Sequence, residues 1–262
     1  MLHYTKLFFT FLRINLQKAM AYPKMFWFFF FLVVLESLTV YIALDIVFRH
    51  VTGIAGWSYH EMLVLTGIFM LSNGFSWIFF KAGVSRLDLA INQGDLDGYL
   101  VKPIDTQFLV TVMRQDIEDA GRSVVGVFVL IAGLKGIHPS PGLVQWMLFF
   151  FTFLAGEIVL YSVMFSLKCI SFKSIQGWAS NAISWRFHDL ARYPTDIYRG
   201  GFRMLFTFVF PLVFVTTVPT QALTGQLTVP FFVGSLVTAV LSFAISRTIW
   251  KRALRTYASA SS

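Results

Sequence analysis

The chain has 262 residues, of which 56% are hydrophobic and only 13% charged, with 30 phenylalanines and a mean hydropathy of +0.69. A soluble globular chain carries about 25% charged residues, so this balance excludes a disordered chain, a disulfide scaffold and a soluble enzyme. The net charge of +8 (pI ≈ 9.7) then points to basic loops facing anionic lipid rather than to nucleic acid, and the single cysteine, Cys169, allows no internal disulfide.

Residues 1–24 read as an amphipathic basic helix lying in the headgroup layer. Lys6, Thr10, Arg13 and Gln17 form one polar stripe, and Tyr4, Leu7, Phe8, Phe11, Leu12 and Ala19 crowd the other side. Pro23 ends this helix or bends it into the next. Beyond it, charges cluster and the gaps between them are long: 19 uncharged residues between Glu61 and Lys81, 21 between Lys135 and Glu157, and 43 between Arg203 and Arg247. A helix crossing a bilayer needs about 20 mostly apolar residues, and helices are the default because lipid offers no partner for a backbone hydrogen bond. The longest gap holds two crossings, divided by the turn-like stretch from Pro219 to Pro230.

The expected fold is therefore all-α and polytopic, one transmembrane domain over residues 1–262. Its six spans are Met25–Leu44, Met62–Phe80, Ser123–Ile137, Leu143–Leu167, Phe202–Val218 and Val229–Ile249. The third is short, carries Gly126 and Gly133, and either extends back toward Asp119 or sits in a thinned bilayer. The first apolar run is too long for a secretory signal and no small-residue cleavage site follows it, so it is read as retained. With the N-terminus cytoplasmic, 19 of the 21 Lys and Arg residues fall on the cytoplasmic side and only Arg49 and Lys135 outside. Both termini are then cytoplasmic. The same bias argues against a seventh span at Cys169–Trp185, which would export Arg192, Arg199 and Arg203.

Residues 81–122 form the longest polar insertion, with five basic residues and seven acidic ones. Segment 84–101 fits short amphipathic helices broken at Gly94 and stopped by Lys102-Pro103. It is too short for a core of its own and well sized to dock on another protein. A second amphipathic pattern covers Phe172–Leu190, with Trp178 and Trp185 suited to a membrane interface, and Arg192-Tyr193-Pro194 breaks it.

Motifs for soluble chemistry are missing. There is no G-x-x-x-x-G-K-[ST], so the chain does not cradle ATP phosphates in the P-loop manner, and no HExxH, CxxC or G-x-S-x-G. The five histidines have no metal-ligand spacing. Asp95-Leu96-Asp97 is a D-x-D pair of the kind that holds a divalent metal in some sugar-nucleotide transferases, while Gly94 and Gly98 favour a turn or cap role for it. Glu36 and Glu157 fall inside expected spans, where a charge costs at least about 2.5–3.5 kcal/mol. They are either protonated and hydrogen-bonded between helices, with Ser37, Thr39, Asn73 and Ser76 as candidate partners, or they line a transport path.

The order of basic helix, two spans, long insertion, four spans and basic tail resembles the membrane subunits of type-2 ABC exporters, the ABC-2 family. Residues 91–103, which carry Asp95, Leu96, Asp97, Tyr99, Leu100, Lys102 and Pro103, look like that family's G-x-L-D-x-x-L-x-K-P segment. Arg192-Tyr193-Pro194 with Tyr198, followed by Pro211 through Pro219, is similar to its R-Y-P-x-x-I-Y and P-x-x-F-x-x-x-x-P stretch. The resemblance implies a permease of the cell (inner) membrane that is not itself an enzyme and binds no cofactor, with ATP and Mg on a separate nucleotide-binding ATPase subunit. It implies a second membrane subunit, identical or paralogous, a coupling helix in the 81–122 insertion, and export. The aromatic and aliphatic spans favour an amphiphilic or lipid-like substrate. Two rivals stand beside it: a proton-coupled secondary transporter using Glu36 and Glu157, and a membrane-embedded transferase using Asp95 and Asp97 with a metal.

Overall fold

The computed structural model describes residues 2–172 and 188–257. Every regular element among them is helical. Helix α1 (Leu2–Met20) is followed after a tight turn by α2 (Pro23–Phe48), whose proline sits in the first turn, where its missing N–H costs no helical bond. A capping box at Ser58 and Glu61 starts α3 (Tyr59–Ser76), which runs on through a π-helical turn at Trp77–Lys81. The insertion then folds as α4 (Leu87–Asn92), α5 (Asp95–Leu100) and α6 (Thr106–Val112). Gly94 separates the first two with φ +79°, a conformation a side chain resists. Helices α7 (Ala120–Leu134) and α8 (Leu143–Lys168) follow. After the undescribed stretch come α9 (Gly201–Met204) with its π-helical continuation Leu205–Val209, α10 (Thr217–Leu223) and α11 (Val229–Arg255).

Four of these segments are long and apolar enough to cross a membrane: Pro23–Phe48, Tyr59–Asn92, Leu143–Lys168 and Val229–Arg255. They contain four of the expected spans. The expected third span is only the 15-residue α7, about 22 Å of helix, and it starts at Ala120, so it does extend back toward Asp119.

Helix α3 is the centre of the bundle, and α7 packs on it most intimately. A Cβ added at Gly67 would lie 2.5 Å from the backbone nitrogen of Leu130, and one at Gly126 would lie 2.7 Å from that of Leu71. Small residues let helix backbones touch, which is how helices associate where no water is present to drive them together. Helix α2 rests on the outer side of this pair through Val34, Val40, Tyr41 and Leu44, against Leu63, Met70, Val125 and Val129, and leaves Phe28, Phe31 and Leu35 exposed. On the opposite side α8 packs on α11 and α10, and the largest apolar cluster joins Phe165, Leu160 and Trp250 to Leu87, Leu96 and Val110 of the insertion.

Two expectations are corrected. Phe202–Val218 is not one straight span, because the chain bends by 60° between Gly201–Thr207 and Leu212–Leu223, at Pro211, which has no N–H to continue a helix. Both flanks of this bent pair are tied to the start of α3: Trp57 Nε1 donates to Asp196 Oδ2 at 3.2 Å, Arg203 pairs with Asp196 at 2.8 Å, and Gln226 donates to Glu61. Second, Lys168–Arg203 does not stay at one end. Lys168 Nζ lies 3.1 Å from the Ser85 carbonyl and 3.3 Å from Asp88, at the far end of α3 from Trp57, so the chain changes ends between Lys168 and Asp196. The basic residues misled because they are answered within the protein: Arg203 by Asp196, and Arg192 by the Phe69 ring face at 5.4 Å. Most of the Phe172–Leu190 pattern lies outside the described residues.

The α3–α7 contact has a direct test. Gly126→Leu should destabilise the chain by about 3 kcal/mol or more, since extra atoms would meet backbone that cannot yield. Gly98→Ala, where a Cβ meets nothing within 4 Å, should stay within about 0.5 kcal/mol. Thermal unfolding in detergent reads the difference.

Candidate functional site

The insertion is built outward from a buried anchor. Leu96 is 0% exposed and packs in the chain's own core with Leu87, Ile91 and Val110, so it holds α5 in place and offers nothing to a partner. The face that α5 turns outward carries Asp95, Leu100, Lys102 and Pro103, with Asp97 and Tyr99 half-buried and the Lys102 ammonium over the Tyr99 ring at 5.7 Å. Val101, which the sequence pattern did not single out, is an apolar side chain 83% exposed at the tip. Its signal was its place between a helix end and Lys102-Pro103, where no turn of helix follows to cover it.

Two ion pairs fasten this unit to the long helices. Asp88 pairs with Lys168 at the end of α8, both buried. Asp105 caps α6 by accepting from the Phe108 N–H at 3.0 Å, and also takes both terminal nitrogens of Arg247 on α11, with the Nη1 bond at 2.9 Å. Burial alone would raise the Asp105 carboxyl, but the Arg247 guanidinium and the backbone N–H groups outweigh it and hold it below the usual carboxylate range. The Asp105 N–H in turn donates to the Tyr4 hydroxyl at 3.4 Å, and Asn15 Nδ2 donates to the Met113 carbonyl at 3.2 Å, which ties α1 to the same unit. The insertion is thereby bonded to α1, α8 and α11 together.

The two intramembrane carboxylates have different surroundings. Glu36 is 59% exposed and accepts from Arg122 at 2.8 Å, and Arg122 also bonds Asp119 at 2.7 Å. Glu157 is 4% exposed and stands beside the Ser72 hydroxyl and within reach of the Lys81 charge, with no close hydrogen bond to its oxygens among the described residues. The structure does not bring the two together. Glu36 lines a polar cavity of 130 Å³ with Asn73, Lys81, Arg122 and His188, whereas Glu157 lines a larger, mostly apolar one. Lys81 Nζ, buried, lies 2.9 Å from Asn73 Oδ1 and 2.6 Å from His188 Nδ1. His188 Nε2 lies 3.2 Å from Ser72 Oγ, so the ring bridges Lys81 and Ser72. Sequence reasoning missed Lys81 and His188 as a pair, since 107 positions separate them.

The Arg-Tyr-Pro segment runs along α3, from Arg192 over the Phe69 ring toward Asp196 at Trp57. Pro194 is buried, Tyr193 is exposed, and the Tyr198 hydroxyl donates to the Leu190 carbonyl at 3.0 Å while its ring meets Phe206 edge-on. Pro211 and Pro219 are buried, Pro211 at the bend and Pro219 in the first turn of α10.

A titration follows from the insertion. The Asp116 carboxyl is pushed up to about 6 by burial, and then by Glu118 and Asp119 beside it. A raised carboxyl favours the protonated fold, so its contribution is complete below the ordinary value of about 3.9 and is lost as pH rises through about 6, on the order of 2 kcal/mol. Unfolding midpoints across that interval should fall with rising pH, and Asp116→Asn should flatten the curve.

Compared with known proteins, residues 20–261 match the family model described as "ABC-2 family transporter protein". Neither a curated protein nor a solved structure matches the chain.

Proposed function

The chain belongs to the ABC-2 transporter family, and on that premise we propose that it is the permease subunit of an ATP-binding-cassette exporter of the inner membrane. A separate nucleotide-binding subunit would hold ATP and Mg, and a second membrane subunit, identical or paralogous, would complete the pathway. In the proposal the chain crosses the membrane an even number of times, with residues 201–223 bent at Pro211. Both termini then lie on the ATPase side, with α1 in the headgroup layer.

The observation that carries the reading is the exposed tip of α5 on its buried Leu96 anchor, wired by Asp88–Lys168 and Asp105–Arg247 to the two longest helices of one side. Leu100 and Val101 supply the apolar centre of a small docking face, and Asp95 and Lys102 its charged rim. ATP-driven closure of the ATPase pair would push this tip and, through the ion pairs, move α8 and α11. The spans, largely aromatic and aliphatic, suit an amphiphilic or lipid-like substrate. Glu157, a buried carboxyl beside Ser72 and Lys81, is the observation that favours the proton-coupled alternative.

Affinity purification in mild detergent should bring down a Walker-A-bearing partner. Leu100→Asp with Val101→Asp should abolish this at least about tenfold, equivalent to about 1.4 kcal/mol, with no change in unfolding temperature, whereas Leu96→Asp should lose both the partner and stability. A stable, active chain with no ATPase attached would sink the proposal. Transport into vesicles should require ATP and survive collapse of the proton gradient. Uptake that follows the gradient and vanishes in Glu157→Gln would favour the proton-coupled reading instead.

A further inference from the structure

Between α1, α3, α8 and α11 lies a cavity of 630 Å³, within the range of about 300–1,000 Å³ typical of ligand sites. Its walls are aromatic and aliphatic, with Phe75, Phe79, Leu154, Ile158 and Phe243 among them. Phe79, Ile158 and Phe243 are also exposed on the outer surface, so the cavity opens sideways, where the apolar flank of the bundle faces lipid. Apart from Glu157 on the inner wall, polar atoms gather at one end. There the Tyr161 hydroxyl meets Gln107 and Thr111 at 3.1 Å each, and Arg247 bonds Asp105 and Gln107. That end is the insertion end, next to Tyr4 of α1.

From this separation of apolar and polar walls we infer that the cavity holds one acyl chain of a phospholipid, entering sideways, with its phosphate at Arg247. The wall between Leu154 and Tyr161 on α8 covers about 10 Å along the membrane normal, enough for much of one leaflet's chain depth. A guanidinium has five N–H groups. Three of those on Arg247 are committed to Asp105 and Gln107, which leaves two on a partly exposed group to meet a phosphate. The Asp105 carboxylate beside it neutralises the cation locally, so the site suits a zwitterionic headgroup as well as an anionic one. The inference deepens the lipid-like substrate reading above and rests on the chain spanning a bilayer. It differs in needing neither ATP nor a partner to be tested.

The test is photolabelling of the full chain in non-ionic detergent micelles to which phosphatidylcholine with a diazirine on its acyl chain is added in rising amounts, read by peptide mapping. Label should concentrate on Phe79, Ile158 and Phe243 and be competed by unlabelled phosphatidylcholine, while label on the exposed Phe28 and Phe31 of α2 should rise linearly without saturating. Ile158→Trp, which narrows the side opening of the cavity, should lower the cavity label severalfold. Arg247→Gln should weaken phosphatidylcholine labelling but leave labelling by a diazirine diacylglycerol, which has no phosphate, unchanged. Unsaturable label spread evenly over α2 and the cavity would overturn the inference, as would cross-links between two copies of the chain at Ile158, which would show a second subunit seated there. Inorganic phosphate that protects as well as the lipid would show an anion site without an acyl chain. Because the wild-type competition needs no variant, a misfolded Ile158→Trp does not rescue the inference. Failure of the labelling with the ATPase still co-purifying would reject this site and leave the permease reading standing.

Discussion

Two helix backbones in contact, those of α3 and α7, determine where the rest of the chain can go. In an apolar surrounding no hydrophobic force drives one helix against another, so close packing must supply the attraction. Gly67 and Gly126 allow this by removing the side chains that would hold the axes apart. The consequence is a 15-residue helix lying along a much longer one, with α2 resting on the outside of the pair and α8 left to fill the other side of α3. The placement of α8 in turn brings Lys168 to Asp88 and sets the distance at which α11 meets the insertion.

From that arrangement the insertion acquires its mechanical character. A short helix in solvent is marginal by itself. Here α5 is held by Leu96 in the common core, and α4 and α6 are held by buried or half-buried ion pairs to α8 and α11. Such pairs do little for net stability, because desolvating two charges offsets most of their attraction. Their value is in position, since a carboxylate that takes both nitrogens of one guanidinium has few other orientations. The same Asp105–Arg247 pair forms the polar end of the side-opening cavity.

Much of this was legible beforehand, for physical reasons. The long apolar runs became long helices because backbone groups in lipid have no other partners. The break at Gly94 was readable because only glycine takes a positive φ freely. What failed was the path between Lys168 and Arg203. Hydropathy treats a re-entrant segment and a crossing alike, since both must be apolar, and counting basic residues assumes that each faces solvent. Arg192, half-buried against the Phe69 ring, violates that assumption. At the candidate docking site, the period of α5 showed that one face is apolar but not whether that face is spent internally. Leu96 is, and Val101 is not.

The sequence by itself determined the class of solvent this chain lives in, the approximate place of its four longest helices, and the existence of one charged insertion among them, because these depend on local composition and on the reach of a helix across a bilayer. The tertiary structure alone decided which end each segment occupies, which carboxylates are answered by cations, and which apolar side chains stay outside. Those properties depend on partners such as Lys81 and His188 or Trp57 and Asp196, more than a hundred positions apart, and no local pattern carries information about a contact at that distance.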